Sequence, residues 1–330
     1  MAVRNELSID RASLPRHREQ TTTARLGPEG EVMDRIELRD TYRKAQAARR
    51  AVTRALRRPR TYRSAAKEIA WAGLNLAMYP AGVVGEALEP NEDRGIAGRF
   101  TPELPLRYLD PEAASTPIVL LHGYFHNRSA FLVVRRALRR AGFRHVSTMN
   151  YNVIGHDVNE LAEQLSAHVD RVLEETGAHQ VHLIGHSLGG LVARAYIQLC
   201  GASDKVHTCV TLGSPHGGTY AAWAGRGRAA RDLRPGSDLL ERLEDAAPCD
   251  TRFVAYYSNL DAMIIPASNA KIVSTNIRAR NVLVKDLGHM SFLISQTLLH
   301  SLVDDLWGFD RPASGDAVTE LSQRRGVAPA

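Results

Sequence analysis

The chain has 330 residues, of which 44% are hydrophobic, 24% charged and 6% aromatic. This composition excludes a wholly disordered chain and a fibrous protein, and the length suits one α/β domain with appendages. The three cysteines permit at most one disulfide and leave an odd thiol, so no disulfide framework is expected to hold the fold together. This cysteine content fits a reducing compartment.

Charge is unevenly distributed along the chain. Residues 1–67 contain 17 Lys and Arg against 8 Asp and Glu, whereas the remainder contains 25 against 28. A mildly acidic body with a basic leader indicates a soluble enzyme whose N-terminus meets an anionic partner, such as lipid headgroups or nucleic acid.

The sequence predicts four parts. Residues 1–40 have no apolar periodicity, which is typical of a disordered terminus. Residues 41–95 are predicted to form a helical extension, in which the arginines of residues 43–58 surround an alanine-rich face as in a basic amphipathic helix. Residues 96–307 contain the alternating strands and helices of an α/β body, and residues 308–330 are predicted to be a flexible tail.

Residues 69–85 form an uncharged run of 17 residues, IAWAGLNLAMYPAGVVG. Its length, Asn75 and Pro80 disfavour a spanning helix, and its depth in the chain disfavours a standard signal peptide. Four interpretations stay open, namely a helix packed on the body, an interfacial anchor, a true span, and a misassigned start that hides a signal sequence. We expect a cytoplasmic protein, peripheral at an anionic membrane through residues 43–85, with secretion as the alternative.

From Pro117 onward, short apolar runs alternate with helical patterns, which predicts a mainly parallel sheet with helices on both faces. The predicted strands are 118–121, 145–149, 181–184, 206–212, 252–257 and 281–284, with 104–109 as a further edge strand. The predicted helices are 128–141, 157–176, 188–199 and 291–306, with a shorter one near 237–244.

A candidate nucleophile lies between a predicted strand and a predicted helix. Residues 185–189, Gly-His-Ser-Leu-Gly, match the G-x-S-x-G pattern, which a chain of this composition contains by chance about 0.1 times. The strand before it and the helix after it make the match specific, because a sharp strand-to-helix turn lifts the hydroxyl of Ser187 clear of the backbone. The sequence therefore predicts nucleophilic catalysis by Ser187.

A serine nucleophile needs a base and a carboxylate that orients it, and the chain offers both in the order Ser, Asp, His. Asp261 follows one strand and His289 follows the next, so both are expected at the edge of the sheet that carries Ser187. Asp286 is the alternative carboxylate. The other histidines near the site, His126, His186 and His216, are expected to line it rather than act as the base.

Acyl transfer also needs donors that face the developing oxyanion. The backbone N–H groups of Leu188, next to the nucleophile, and of Tyr124, just after His122-Gly123, are the predicted pair. No spacing of His, Cys and Asp resembles a zinc site, so no metal is predicted.

These residues resemble the α/β-hydrolase superfamily, and within it the bacterial triacylglycerol lipases and esterases, over residues 117–303. The resemblance rests on His122-Gly123, on G-x-S-x-G, on Gly-Ser-Pro-His-Gly-Gly at 213–218, on Asp261 and on Gly288-His289. It implies an α/β-hydrolase fold with a small lid or cap after the sixth strand, hydrolysis through an acyl-serine, and no organic cofactor. Calcium-dependent members have an aspartate shortly after the catalytic histidine, whereas Ser291 follows here, which argues against a calcium site.

The lid is expected between Pro215 and Arg252. Apolar side chains near the predicted site, which suit an acyl chain, are Phe125, Trp223, Met263 and Met290. We therefore expect a serine carboxylester hydrolase for lipid-like esters. The alternatives are an acyltransferase or thioesterase of the same fold, or a non-catalytic membrane-associated scaffold. No nucleic-acid partner is expected, because the basic segment matches no known nucleic-acid-binding motif.

Overall fold

The computed structural model describes residues 25–26, 32–33 and 114–307. The chain divides into two compact units, residues 1–47 and 48–330. In the first, strand β1 (Arg25–Leu26) pairs antiparallel with β2 (Val32–Met33), within a stretch that the sequence predicts to lack structure. The remaining predictions for the N-terminal 95 residues, for a strand at 104–109 and for the 308–330 tail concern residues outside the described ones.

The second unit contains a parallel sheet of six strands in the order β4-β3-β5-β6-β7-β8. The strands are β3 (Ile118–Leu121), β4 (Val146–Met149), β5 (Val181–His186), β6 (Val206–Leu212), β7 (Cys249–Tyr257) and β8 (Ile277–Leu283). Because all six run in one direction, the loops that follow them meet at one edge, where parallel α/β proteins bind their ligands.

Within residues 114–307, six α-helices lie between or after these strands. They are α1 (Leu132–Arg140), α2 (Val158–Thr176), α3 (Leu188–Leu199), α4 (Arg228–Asp232), α5 (Asp238–Asp245) and α6 (Gln296–Leu306). Shorter 3-10 turns occur at Arg128–Phe131, Ser203–Lys205, Tyr220–Ala224, Ala267–Ala270 and Met290–Leu293.

The core lies on both faces of the sheet. Alternate residues of β3 face opposite sides, so that Val119 and Leu121 join one cluster while Ile118 and Leu120 join the other. Helices α2, α3 and α5 cover the first face, and α1 and α6 cover the second. Because both faces of the sheet are covered, the central strand β3 is a continuous apolar run, and the arrangement agrees with the predicted α/β-hydrolase architecture.

Some boundaries differ from the predictions. Strand β8 begins at Ile277, four residues before the predicted start, because polar residues interrupt its apolar pattern. The predicted helix 291–306 is divided, since the Ser295 side chain accepts a hydrogen bond from the Leu298 N–H and starts α6 there.

Between residues 114 and 307, no helix has both the length and the apolar character needed to cross a membrane. All three cysteines, Cys200, Cys209 and Cys249, are free thiols.

Candidate active site

Ser187 lies at the turn between β5 and α3, in a backbone conformation that non-glycine residues rarely adopt, with φ of 55° and ψ of −122°. Its N–H donates to the Leu212 carbonyl at 3.0 Å, which anchors the turn to the end of β6. The flanking glycines are sterically required. A Cβ on Gly185 would lie 2.4 Å from the Gly190 nitrogen, and one on Gly189 would lie 2.1 Å from the Leu121 carbonyl oxygen.

The His289 imidazole and the Asp261 carboxylate form a buried hydrogen-bonded pair. The distance from His289 Nδ1 to Asp261 Oδ2 is 2.8 Å. The other carboxylate oxygen, Oδ1, accepts the N–H groups of Met263 and Ile264 at 2.9 and 3.1 Å. Since a carboxylate only accepts, Nδ1 carries the proton in this pair and Nε2 is left as the basic nitrogen.

Gly213 joins this pair to the nucleophile turn. It directly follows Leu212, whose carbonyl holds Ser187, and a Cβ on it would lie 2.9 Å from Asp261 Oδ2 and 3.3 Å from His289 Nδ1. Its φ of +57° also favours glycine. The ends of β5 and β6 and the loops after β7 and β8 therefore bring the three predicted catalytic residues to one place.

His186 supports the backbone of the His289 loop. Its Nε2 lies 3.0 Å from the His289 carbonyl oxygen, and the two ring centroids are 4.8 Å apart. Burial holds the pKa of His186 well below its usual value, so the ring is neutral. Because a carbonyl only accepts, Nε2 is the protonated nitrogen of His186.

The turn after β3 carries the second predicted oxyanion donor. A Cβ on Gly123 would lie 3.0 Å from the Ser187 Cβ, so this turn runs directly beside the nucleophile. His122 stacks on Tyr151 with ring centroids 4.0 Å apart, and the Tyr151 hydroxyl donates to the His122 carbonyl. Tyr124, whose N–H is one predicted donor, lies in this turn. Leu188, the other, is the first residue of the 12-residue helix α3, and the N-terminus of a helix favours negative charge.

Comparison with known proteins agrees with this geometry. The profile of the palmitoyl protein thioesterase family matches residues 117–267. The chain is therefore similar to lipases and esterases with an α/β-hydrolase fold. A triacylglycerol lipase of Burkholderia plantarii is 32% identical over 168 residues, which are 48% of this chain and 42% of the relative. A triacylglycerol lipase of Pseudarthrobacter phenanthrenivorans is 48% identical over 64 residues, 19% of each chain.

The chain thus spans less than half the length of these curated relatives. Among solved structures, the mature lipase BlEst2 of Bacillus licheniformis is similar with a TM-score of 0.48 and 18% identity, over 63% of this chain and 96% of that one.

The side chain of Tyr124 contacts the segment between β6 and β7. Its hydroxyl donates to the Arg226 carbonyl and accepts the Arg226 N–H at 3.0 Å. The same segment is held to the start of α2, where Arg228 pairs with Glu160 in the first turn at 2.6 Å and with the N-cap residue Asp157 at 3.5 Å. Residues 226–232 are therefore attached to the α/β-hydrolase body next to the turn that carries Tyr124.

The four predicted pocket residues have different surroundings. Phe125, Trp223 and Met263 are exposed, by 65%, 59% and 38%. The guanidinium of Arg234 lies over the Trp223 ring, 4.3 Å from its centroid. Met290 is instead buried in the core cluster below α1 and α6. The assignment of these four residues to a substrate pocket stays a prediction.

The structure also distinguishes among the alternatives. Asp261 is the carboxylate that bonds to His289, whereas the backbone N–H of Asp286 donates to the Asn259 side chain at 2.9 Å. Of the other histidines near the site, His216 has its Nε2 3.0 Å from the Thr211 hydroxyl. The pKa of His126 is lowered to about 4 by burial.

Sequence reasoning missed the supporting roles of Gly213 and Tyr151. The sequence feature that could have indicated both roles is their position just after a strand, β6 for Gly213 and β4 for Tyr151. In residues 114–307, no group of three or more His, Cys, Asp or Glu side chains is arranged to hold a metal ion.

Proposed function

We propose that this protein is a serine carboxylester hydrolase that cleaves lipid-like esters through an acyl-serine intermediate. The observation that carries the proposal is the buried 2.8 Å contact between His289 and Asp261, joined through Gly213 to the strained turn of Ser187. Such a constellation has a cost in backbone strain and in buried polar groups, which catalysis explains.

In the first half of the reaction, the Ser187 Oγ attacks the ester carbonyl carbon while His289 Nε2 takes the hydroxyl proton. Asp261 stabilises the resulting imidazolium through Nδ1. The carbonyl oxygen becomes an oxyanion that accepts the N–H groups of Leu188 and Tyr124. The C–O bond then breaks, and His289 gives its proton to the departing alcohol, which leaves the acyl group on Ser187.

In the second half, His289 takes a proton from water, whose oxygen attacks the acyl carbon. The second tetrahedral intermediate collapses to a carboxylic acid, and His289 returns the proton to Ser187 Oγ. An alcohol in place of water would make the enzyme an acyltransferase, since the acceptor alone differs.

A lipid-like acyl chain is proposed from two observations. Two curated relatives are triacylglycerol lipases, and Phe125, Trp223 and Met263 expose apolar surface on loops after the strand ends. A thioester is the second candidate substrate, because the palmitoyl protein thioesterase profile includes Ser187 and Asp261. Both substrates use the same acyl-serine chemistry.

The test uses a fluorophosphonate probe, p-nitrophenyl esters of increasing chain length, and a thioester with the same acyl chain as one of the esters. Wild-type protein should be labelled and should turn over longer esters faster, whereas Ser187→Ala should lose labelling and about 10⁶-fold in kcat. Faster cleavage of the thioester than of the matched ester would favour the thioesterase. Full turnover by Ser187→Ala, or no labelling of folded wild-type protein, contradicts the proposal.

The role of Asp261 has a matched control in Asp286. Asp261→Asn should lower kcat by about 10³–10⁴-fold with little change in KM, because the amide no longer holds the required His289 tautomer. Asp286→Asn changes a carboxylate three residues before His289 and should leave kcat within about twofold of wild type. Equal losses of kcat in the two variants would show that Asp261 has no specific role in the mechanism.

A further inference from the structure

The α/β body has a strongly asymmetric charge distribution. Residues 114–156 contain six arginines and no Asp or Glu, whereas residues 157–307 contain 13 Lys and Arg against 17 Asp and Glu. The positive charge thus comes from the segment that includes α1, the turn before it and the loop after it. An asymmetry of this kind orients a protein in the field of a charged surface.

Helix α1 carries the centre of this charge on its outer face. Val134 and Leu138 are buried against the sheet. Leu132, Arg136 and Arg139 follow one another at spacings of four and three residues, so they form one stripe, and all three are exposed. Arg144, in the loop after the helix, is exposed as well.

The side chains of Arg136 and Arg139 in the stripe, and of Arg144 in the loop after it, are not used to stabilise the body. Within residues 114–307, no ion pair or hydrogen bond is formed by the guanidinium groups of Arg136, Arg139 or Arg144. By contrast, Arg194, Arg228 and Arg280 each pair with a carboxylate. The like charges of Arg136 and Arg139, three residues apart on α1, repel each other, and an anionic partner relieves this repulsion.

Exposed apolar side chains also occur at the start of α1 and in the turn beside the candidate active site. Leu132, at the start of α1, is 46% exposed, and Phe125, in the turn that carries Tyr124, is 65% exposed. The ring of Phe125 packs edge-on against Tyr124, with centroids 4.8 Å apart. We call Phe125, Leu132, Arg136, Arg139 and Arg144 the α1 surface.

We propose that the α1 surface docks the body on an anionic phospholipid bilayer. Guanidinium groups match the geometry of phosphate oxygens, and exposed Leu and Phe side chains enter the region between headgroups and acyl chains. A nucleic acid would use the arginines but leave Leu132 without a favourable environment, so a bilayer fits both parts of the surface. Docking would bring the Tyr124 turn, beside Ser187, to the lipid. This binding does not depend on the proposed chemistry.

The test measures vesicle binding of the full chain in a Ser187→Ala background, so that lipid hydrolysis plays no part. Vesicles consist of phosphatidylcholine alone or mixed with phosphatidylglycerol. The test variant is R136Q/R139Q/R144Q. The control variant, R171Q/R242Q/R278Q, removes three exposed arginines from α2, α5 and β8 and has the same net charge. The basic residues before position 68 are present in both, so their contribution cancels.

We expect the test variant to bind mixed vesicles at least about tenfold more weakly than the control variant, with the difference shrinking as salt rises. Leu132→Ser should weaken binding further without changing net charge. Equal thermal melting of the two triple variants would show that folding is intact. Equal binding by the triple variants overturns the proposal. A larger loss on a DNA duplex than on vesicles also overturns it, and assigns the surface to nucleic acid.

Discussion

At the scale of single residues, the site depends on glycines as much as on the catalytic side chains. Ser187 takes a positive φ so that its side chain leaves the turn, and Gly185 and Gly189 make the close approach of β5 and α3 possible. Gly213 leaves room for the pair of Asp261 and His289, because a Cβ there would occupy the space of the Asp261 carboxylate. The geometry of the site therefore requires glycine at these three positions.

Gly213→Ala should damage the site, and Gly201→Ala is its matched control. Both glycines have positive φ, +57° and +69°, so alanine costs roughly 1–2 kcal/mol of backbone strain at either position. A Cβ on Gly201 has no heavy atom within 4 Å, whereas one on Gly213 lies 2.9 Å from Asp261 Oδ2. We expect Gly213→Ala to lower kcat about 10²-fold because it displaces His289, and Gly201→Ala to leave kcat unchanged. Thermal melting and kcat for both variants check this, and an equal effect on kcat would contradict it.

At the scale of elements, the sequence predicted most of what positions the site. Strands β3 and β6 and helix α3 have the predicted ends, because each is a compact apolar run between clear turn residues. The carboxyl ends of the strands therefore indicated where Ser187, Asp261 and His289 lie. Contacts between distant segments carry no local pattern, so neither the His186 bond to the His289 carbonyl nor the Tyr124 contact with Arg226 could be predicted.

The segment 226–232 buries the small side chains of Ala229 and Ala230, and the rest of it is held by surface contacts. Arg228 binds Glu160, Asp157 and the Gly155 carbonyl, and its side chain is 44% exposed. The Ala229 N–H donates to the His156 carbonyl at 3.2 Å, and the Asp232 carboxylate accepts the Val158 N–H at 2.8 Å. Exposed ion pairs contribute little to global stability, so this segment is expected to open locally more easily than the sheet.

Arg228→Gln should change local opening without changing global stability. We expect the free energy of unfolding to fall by less than about 1 kcal/mol, while hydrogen exchange of the 226–232 amides becomes several-fold faster. High salt should have a similar effect on wild-type protein, because it screens the pair. Lys205→Gln is the control, since it removes another exposed ion pair, with Asp170 at 2.6 Å. The same exchange rates in both variants would show that the Arg228 ion pairs do not hold residues 226–232 to the body.

At the scale of the whole molecule, buried neutral histidines link stability to pH. Burial lowers the pKa of His122 to about 4 and that of His182 to about 3, and it holds the pKa values of His186 and His216 well below the usual range. In the unfolded chain these rings titrate near 6.5. Between pH 6.5 and 4 the unfolded state thus binds more protons than the native state, so stability falls as pH is lowered through this window.

The contribution of one such ring can be measured at His182, which lies on β5 outside the candidate site and whose Nδ1 is buried without a partner among residues 114–307. His182→Leu removes a ring that must charge on unfolding in acid but keeps an apolar side chain in the core. Relative to wild type, the variant should gain about 2 kcal/mol of unfolding free energy when pH is lowered from about 7.5 to about 5.

Urea unfolding at the two pH values checks this expectation, with His145→Gln, a change of an exposed histidine, as the control. The gain has to appear as a difference between pH values, because any change in packing shifts the stability of the variant equally at both. The same difference between His182→Leu and wild type at each pH would mean that His182 is charged in the native state or shielded in the unfolded one. Either result would contradict a neutral buried ring at this position.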